Sequence, residues 1–331
     1  MFDLHGPATI LVTGATGFLG RTLCPHLVEQ GYQVRALVRR TSDHAFLEPL
    51  GVERVWGDLR EPEAVARAVA GCAAVVHAGA LFRFWGQPEA FFAANVEGTR
   101  HILRAARQAA VARFIYISTV AVVGCPPPGA VITEETPCRP QDAYQASKLE
   151  AERLVLAAHH EHNLAALVLR PGALYGPGSR YAFNRLFFED PLRRLPVQVH
   201  HGRHITMPTY VRDAARVIEA ALMKGRPGQV YNVCGPCLTH AQVSEVVGRL
   251  AGRRIRFVNV PGWAIVTVAR AWTWLSRFTH REPYYPIGLY PYVFYDWPVS
   301  SDKARRELDF LPTPFEEGAR ETLEWMSDVR S

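Results

Sequence analysis

The chain has 331 residues, 48% hydrophobic and 21% charged, which suits a soluble globular protein with a full core and excludes a disordered or fibrous one. Its formal charge is +6, but the arginines look scattered rather than clustered. That argues against nucleic acid as a partner and for an anionic cofactor, with an anionic membrane surface as a further candidate.

The first apolar run, 8–13, is strand-length and runs into a glycine turn, so no signal peptide is expected. In chain order, Thr9–Thr13 reads as a buried strand and 18–30 as the helix after it. Gln33–Val38 is a second strand and 52–56 a short third. Residues 61–70 read as a helix, Ala74–His77 as a fourth strand, 88–109 as a long helix and 113–118 as a fifth strand. A proline-rich loop, 126–140, precedes a long helix at Ala143–His162 and a strand at 165–170. This βαβ rhythm predicts the α/β class, with a Rossmann-type, doubly wound parallel sheet covered by helices on both faces. After Arg170 the rhythm breaks. Segments 183–199, 203–211 and 255–297 alternate with pieces that return to the sheet, such as Val230–Val233. The expected division is a dinucleotide-binding region over 1–178, its sheet also receiving segments from 205–235. A smaller substrate-binding region over 179–331 is built from insertions rather than folding alone.

Between the first strand and first helix stands Gly14-x-x-Gly17-x-x-Gly20. Such glycines provide a tight turn, close approach of a pyrophosphate and close packing of helix on strand. The helix N-terminus then presents free N–H groups to phosphate charge. Thr16, Phe18 and Leu19 lie in the same turn and share the expected cofactor contact. The end of the second strand chooses the cofactor: an acid there would hold the ribose hydroxyls of NAD, and the sequence instead has Arg39 and Arg40. Arginines can pair with a 2′-phosphate, so NADP(H) is expected over NAD(H). Asp58, followed by Leu59, is placed to accept from the adenine amino group. Ala78, Gly79 and Ala80 are small residues at a strand's end, where an extended ligand can pass close to the backbone. His77 reads as a buried strand-end residue, not a catalyst.

Tyr144 and Lys148 are one helical turn apart on one face. A free tyrosine pKa near ~10 is too high for proton exchange at neutral pH. An ammonium one turn away, together with a positive nicotinamide ring, favours the phenolate. Lys148 can also hydrogen-bond the nicotinamide ribose. Ser118 and Thr119 end the fifth strand, where one hydroxyl can hold a substrate oxygen. Glycine turn, strand-end hydroxyl and Tyr-Lys helix, in that order, point to an enzyme that moves a hydride and a proton.

With these motifs the chain resembles the extended short-chain dehydrogenase/reductase superfamily, also called the NAD-dependent epimerase/dehydratase family. The resemblance also runs through Asn95-Val-Glu-Gly-Thr99, Ile117-Ser-Thr-Val-Ala-Val-Val-Gly124, Leu169-Arg-Pro-Gly-Ala-Leu-Tyr-Gly-Pro-Gly178 and Val230-Tyr-Asn-Val233. It implies that Thr119 is the catalytic Ser/Thr, that Pro171 and Gly172 line the nicotinamide, and that helices 88–109 and Ala143–His162 form a homodimer interface. Sugar 4,6-dehydratases of the family carry Asp-Glu after the catalytic threonine, where this chain has Val120 and Ala121. Nucleotide-sugar epimerases of the family usually place Asn where this chain has Ala173. The pattern is most similar to the 3β-hydroxysteroid dehydrogenase and dihydroflavonol-reductase-like branch. That implies hydride transfer between a hydroxyl and a carbonyl of a hydrophobic, sterol-like or polyketide-like molecule. A nucleotide-sugar epimerase retaining NAD and a non-catalytic NADP(H) sensor are the alternatives.

Aromatics are dense where substrate should enter. Phe84 and Trp85 follow the fourth strand, Tyr181 follows the Gly-Pro-Gly turn with Phe183, Phe187 and Phe188, and segment 285–297 adds more. Phe84, Trp85 and Tyr181 are taken as substrate contacts. Residues 262–277 suggest an apolar helix interrupted by Arg270, too short and charged to span a bilayer. A lid over the substrate pocket is the preferred reading, and peripheral membrane contact with its tryptophans at the headgroups is the other. A reducing compartment fits the six thinly spread cysteines, and the expected location is cytoplasmic, with membrane association left open. No metal site is expected at Cys234, Cys237 and His240, which lack a fourth ligand. His200, His201 and His204 are taken as solvated, and Asp213 as the cap of a helix starting at Ala214.

Overall fold

Short runs of aliphatic residues, each followed by a helix, build the centre of the molecule. The computed structural model describes residues 8–193, 196–279 and 281–328. Strands β1 (Thr9–Thr13), β2 (Gln33–Val38), β3 (Glu53–Trp56), β4 (Ala74–His77), β5 (Arg113–Ile117), β6 (Ala166–Pro171) and β7 (Val230–Val233) form one parallel sheet. Its order is β7-β6-β5-β4-β1-β2-β3. The inner strands β4 and β5 are buried at every position, as a parallel sheet covered on both faces requires.

Alternate residues of each strand feed two cores. Ile10, Val12 and Val76 pack under α1 (Phe18–Glu29), while Leu11 and Val75 pack on the other face. That second face is covered by α2 (Pro62–Val69), α3 (88–108) and α4 (Ala143–His162). The long α3 contains a π-helical turn at Phe92–Glu97. On the α1 face lie α5 (182–193), α6 (Val211–Lys224) and α7 (His240–Leu250). Further on come α8 (Gly262–Thr279), the short α9 (Tyr290–Phe294), α10 (Asp302–Leu308) and α11 (Phe315–Asp328).

Of the segments expected to return to the sheet between 205 and 235, only Val230–Val233 joins it. Pro208–Tyr210 pairs with Ala173–Tyr175 in a separate two-stranded ladder. One continuous core joins Ile10 to Val217, Phe315 and Met326, so the packing runs across residue 178. Strand succession reverses between β1 and β4, the switch point where open α/β sheets leave a crevice at the strands' C-terminal ends.

Candidate active site

The glycine turn opens at that switch point. Gly14 has φ +72°, and a Cβ there would lie 2.8 Å from the backbone of Ala78 and Gly79. At Gly20 a Cβ would meet the Gly14 carbonyl oxygen at 2.3 Å, because α1 lies directly on the turn. Gly17 is the exposed N-cap of α1, with no side-chain cap, which leaves the first-turn N–H groups without a capping partner. Leu19 is buried and Phe18 and Thr16 half-buried beside it. A cradle lined by backbone and closed to any Cβ, beside a free helix N-terminus, fits a dinucleotide pyrophosphate.

Sequence reasoning missed what fixes the cradle. Thr13 Oγ1 accepts from the Gly79 N–H at 3.0 Å and sits 2.7 Å from His77 Nδ1, whose Nε2 is 2.9 Å from Thr99 Oγ1. Burial, with Lys148 nearby, pushes the His77 imidazole down to about 3, so the ring is neutral. This agrees with its reading as a buried strand-end residue. Leu59 packs on Gly79 and Gly98, and Ala80 is exposed at the rim. Arg39 and Arg40 are both exposed after β2, and the Arg40 guanidinium lies 5.2 Å from the Trp56 ring centre. Asp58 accepts from Arg60 Nε at 2.9 Å, and Arg60 holds its carboxyl below the usual range.

The Asp142 side chain caps α4 by accepting from Gln145 N at 2.7 Å, and so sets Tyr144 in the first turn. The Thr119 hydroxyl lies close enough to the Tyr144 hydroxyl to favour its phenolate. Burial pushes the phenol well above its ordinary value, with Asp142 adding to the rise. Lys148 is 3% exposed, and its Nζ donates to the Ile117 carbonyl at 2.6 Å and lies 4.2 Å from the Tyr116 ring centre. Burial pushes Lys148 down to about 7. Thr119 also accepts from Ala121 N at 3.2 Å, capping a short turn. Ser118 Oγ is buried with no hydrogen-bond partner among the described residues. Thr119, Tyr144 and Lys148 are therefore together at the end of β5, beside the cradle.

Asn95 ties these parts to one another. Its side chain accepts from Leu81 N at 2.7 Å and donates to the Leu81 carbonyl at 3.1 Å and Ser147 Oγ at 2.9 Å. It lies in the π-helical turn of α3, a feature frequent at functional sites.

The aromatics divide between site and core. Phe82 lies 4.9 Å from the Tyr144 ring, and Phe84 stacks on Tyr181 at 5.6 Å. Tyr181 donates to Glu282 at 2.5 Å and accepts from Phe84 N at 3.2 Å. Tyr292 closes this wall, 5.7 Å from Phe84, and accepts from Gln145 at 3.2 Å. Trp85 is half-buried in the same loop. Phe183 and Phe188 instead pack with Tyr175 and Phe315 in the core. Phe82 and Tyr292 belong to the aromatic runs 81–85 and 285–297 that the sequence places at substrate entry, whereas Glu282 had no local signal, since an irregular loop has no period from which its faces can be read. Pro171 ends β6, and a Cβ on Gly172 would meet the Met207 carbonyl at 2.2 Å, so this glycine admits the neighbouring strand.

Other expectations change. Asp213 does not cap a helix at 214, because α6 begins at Val211. Its carboxylate is buried and accepts from Thr313 N and Oγ1 at 2.8 and 2.7 Å. His204 is not solvated: it pairs with His200 at 2.8 Å and Asp296 at 3.1 Å. Cys237 Sγ accepts from Val299 N at 3.2 Å, and His240 is packed on Phe187.

A model of the NAD dependent epimerase/dehydratase family matches residues 10–234. The chain is 40% identical over 210 residues to 2-alkyl-3-oxoalkanoate reductase of Stenotrophomonas maltophilia (strain K279a), and the match spans 62% of each protein. It is 30% identical over 337 residues to sterol demethylase protein B of Methylococcus capsulatus (strain ATCC 33009 / NCIMB 11132 / Bath), spanning 97% of this chain and 98% of the relative. The crystal structure of gox2253 superposes with a TM-score of 0.83 at 31% identity, covering 98% of this chain and 99% of that one.

Proposed function

The chain belongs to the NAD dependent epimerase/dehydratase family, and we propose that within it the protein is an NADP(H)-preferring oxidoreductase that interconverts a hydroxyl and a carbonyl on a hydrophobic small molecule. The observation that carries this reading is the Thr119–Tyr144 pair, with Lys148 behind it, facing a wall of Phe82, Phe84 and Tyr181. Relatives named 2-alkyl-3-oxoalkanoate reductase and sterol demethylase protein B support an apolar oxo or hydroxy substrate.

A bound nicotinamide supplies or accepts the hydride. In the reducing direction Thr119, with Ser118 beside it, orients the substrate oxygen. Tyr144 gives its proton to that oxygen as the carbon gains the hydride, and in the oxidising direction takes it back. A phenol raised by burial keeps its proton until a base forms against it. Lys148 then stabilises the phenolate through its positive charge and positions the ribose. Arg39 and Arg40 support NADP(H) through pairing with a 2′-phosphate, and Asp58 the adenine amino group. The long helices α3 and α4 are the proposed homodimer interface.

A nucleotide-sugar epimerase is the rival within the family. Ala173 disfavours it, since a methyl group offers a diphosphate no hydrogen bond. Dehydratase chemistry is disfavoured by Val120 and Ala121, both buried apolar residues at the places an acid pair would need. A non-catalytic sensor would have no use for Thr119, Tyr144 and Lys148 together.

The test is reduction of a 2-alkyl-3-oxo ester and of a 3-oxosteroid with NADPH, by wild type and by Tyr144→Phe. The variant is expected to lose about 10²–10⁴-fold in kcat while NADPH affinity holds. Near-normal turnover by Tyr144→Phe would remove Tyr144 from the mechanism.

A further inference from the structure

The outer face of α8 is apolar and uncovered. Trp263 is 74% exposed, Trp274 59% and Phe278 65%. At 100° per residue these three fall within about 60° of one another around the helix, so they form a single stripe. Val268 and Leu275, each 50% exposed, lie to one side of it, about 60–80° beyond Phe278. Exposed tryptophans are costly in water, and three large aromatics in one stripe mark a surface built to meet something apolar.

The inner face is apolar too. It roofs a cavity of about 360 Å³, lined by Ile265, Ala269 and Trp272 from α8 and by Phe257, Leu289 and Phe294 from the facing segments. Trp272 is also 44% exposed, but it lies about 180° around the helix from Trp263 and so apart from the stripe. No helix among the described residues is long and apolar enough to cross a membrane.

Along the sequence the charge through this helix is one-sided, although Asp190 lines the cavity beneath it. Residues 246–281 contain seven arginines and no aspartate or glutamate. The arginines stay scattered over the whole chain; what sets this stretch apart is that no acid in it offsets them. Arg253, Arg254, Arg256, Arg270 and Arg281 are exposed. The 253–256 group runs directly into Phe257, which lines the cavity under α8. Arg270 borders the aromatic stripe, about 20° around the helix from Trp263, where its long stem can lie on apolar surface with the guanidinium at the headgroups. Tryptophan in the headgroup region and arginine against anionic lipid are the two recognised components of interfacial binding.

We propose that α8 docks the protein on an anionic phospholipid bilayer, with Trp263, Trp274 and Phe278 at the headgroup level and the arginines against lipid phosphates. This docking is independent of the reaction at Tyr144.

The experiment is co-sedimentation of the full chain with vesicles of phosphatidylcholine alone and of phosphatidylcholine with phosphatidylglycerol. The protein should sediment with the phosphatidylglycerol vesicles, with a blue shift of tryptophan emission, and should be released by high salt. Trp263→Asp/Trp274→Asp/Phe278→Asp should lower the partition at least about tenfold while NADPH binding, as a folding check, is retained. Arg254→Glu/Arg256→Glu, outside the helix, should weaken it in the same direction and serves if the first variant does not fold. Failure to sediment with phosphatidylglycerol vesicles overturns the proposal. So does unchanged partition in both variants, or a dimer in solution that the aromatic substitutions dissociate, which would mean that a second copy covers the stripe.

Discussion

Lys148 is a cation held in a place that disfavours its charge. Its pKa falls from 10.5 to about 7 through burial, so the folded protein without cofactor sheds a proton that the unfolded chain keeps. Between about pH 7 and 10.5 the unfolded state binds more protons, and this group therefore makes stability rise with pH across that window. Lys148→Met is expected to flatten that rise in denaturant titrations of the cofactor-free protein; an unchanged pH profile would contradict the burial argument. At this scale the sequence was legible where chemistry is local. Gly14, Gly20, Tyr144 and Lys148 are set by short spacings that one helix or turn imposes. The Thr13–His77–Thr99 relay was not, because its members lie 64 and 22 residues apart and meet only when β1, β4 and α3 pack.

Elements were readable to within a residue or two at most ends, since apolar runs and the Asp142 cap mark them. The π-helical turn in α3 was not readable: the pattern of 88–109 looks like one helix, and only packing against the Leu81 loop turns Asn95 inward. Asp213 misleads for a related reason, since an acid at a helix start reads as a cap while its partner, Thr313, is 100 residues away. The same kind of long-range bond joins α4 to β6. Glu152 and Arg170 pair at 2.5 Å with 3% and 5% side-chain exposure. Glu152→Ala leaves a buried guanidinium without its counter-charge and should cost about 3–5 kcal/mol in chemical denaturation, whereas a loss under about 1 kcal/mol, as at a surface pair, would show that the pair is not desolvated.

For the molecule as a whole, the α/β class and parallel sheet followed from βαβ rhythm, and the family match agrees with them. The region after β6 was much less legible. It contributes β7, α6 and α11 to the same core as β1 and α1, and sends Tyr181, Glu282 and Tyr292 back over the Tyr144 helix. These returns depend on loop paths that no period encodes. What the whole molecule presents is a glycine cradle at the switch point, Thr119, Tyr144 and Lys148 at its side, an aromatic wall beside Tyr144, and Arg39 and Arg40 exposed after β2. We propose that this site exchanges its nicotinamide cofactor with solvent and favours NADP(H). Titration of the purified protein with NADPH and with NADH, followed by nicotinamide fluorescence, tests it most directly. Reversible binding with clear preference for NADPH is the predicted result. Preference for NADH, or copurification of NAD that does not exchange, would contradict it and put the epimerase reading first.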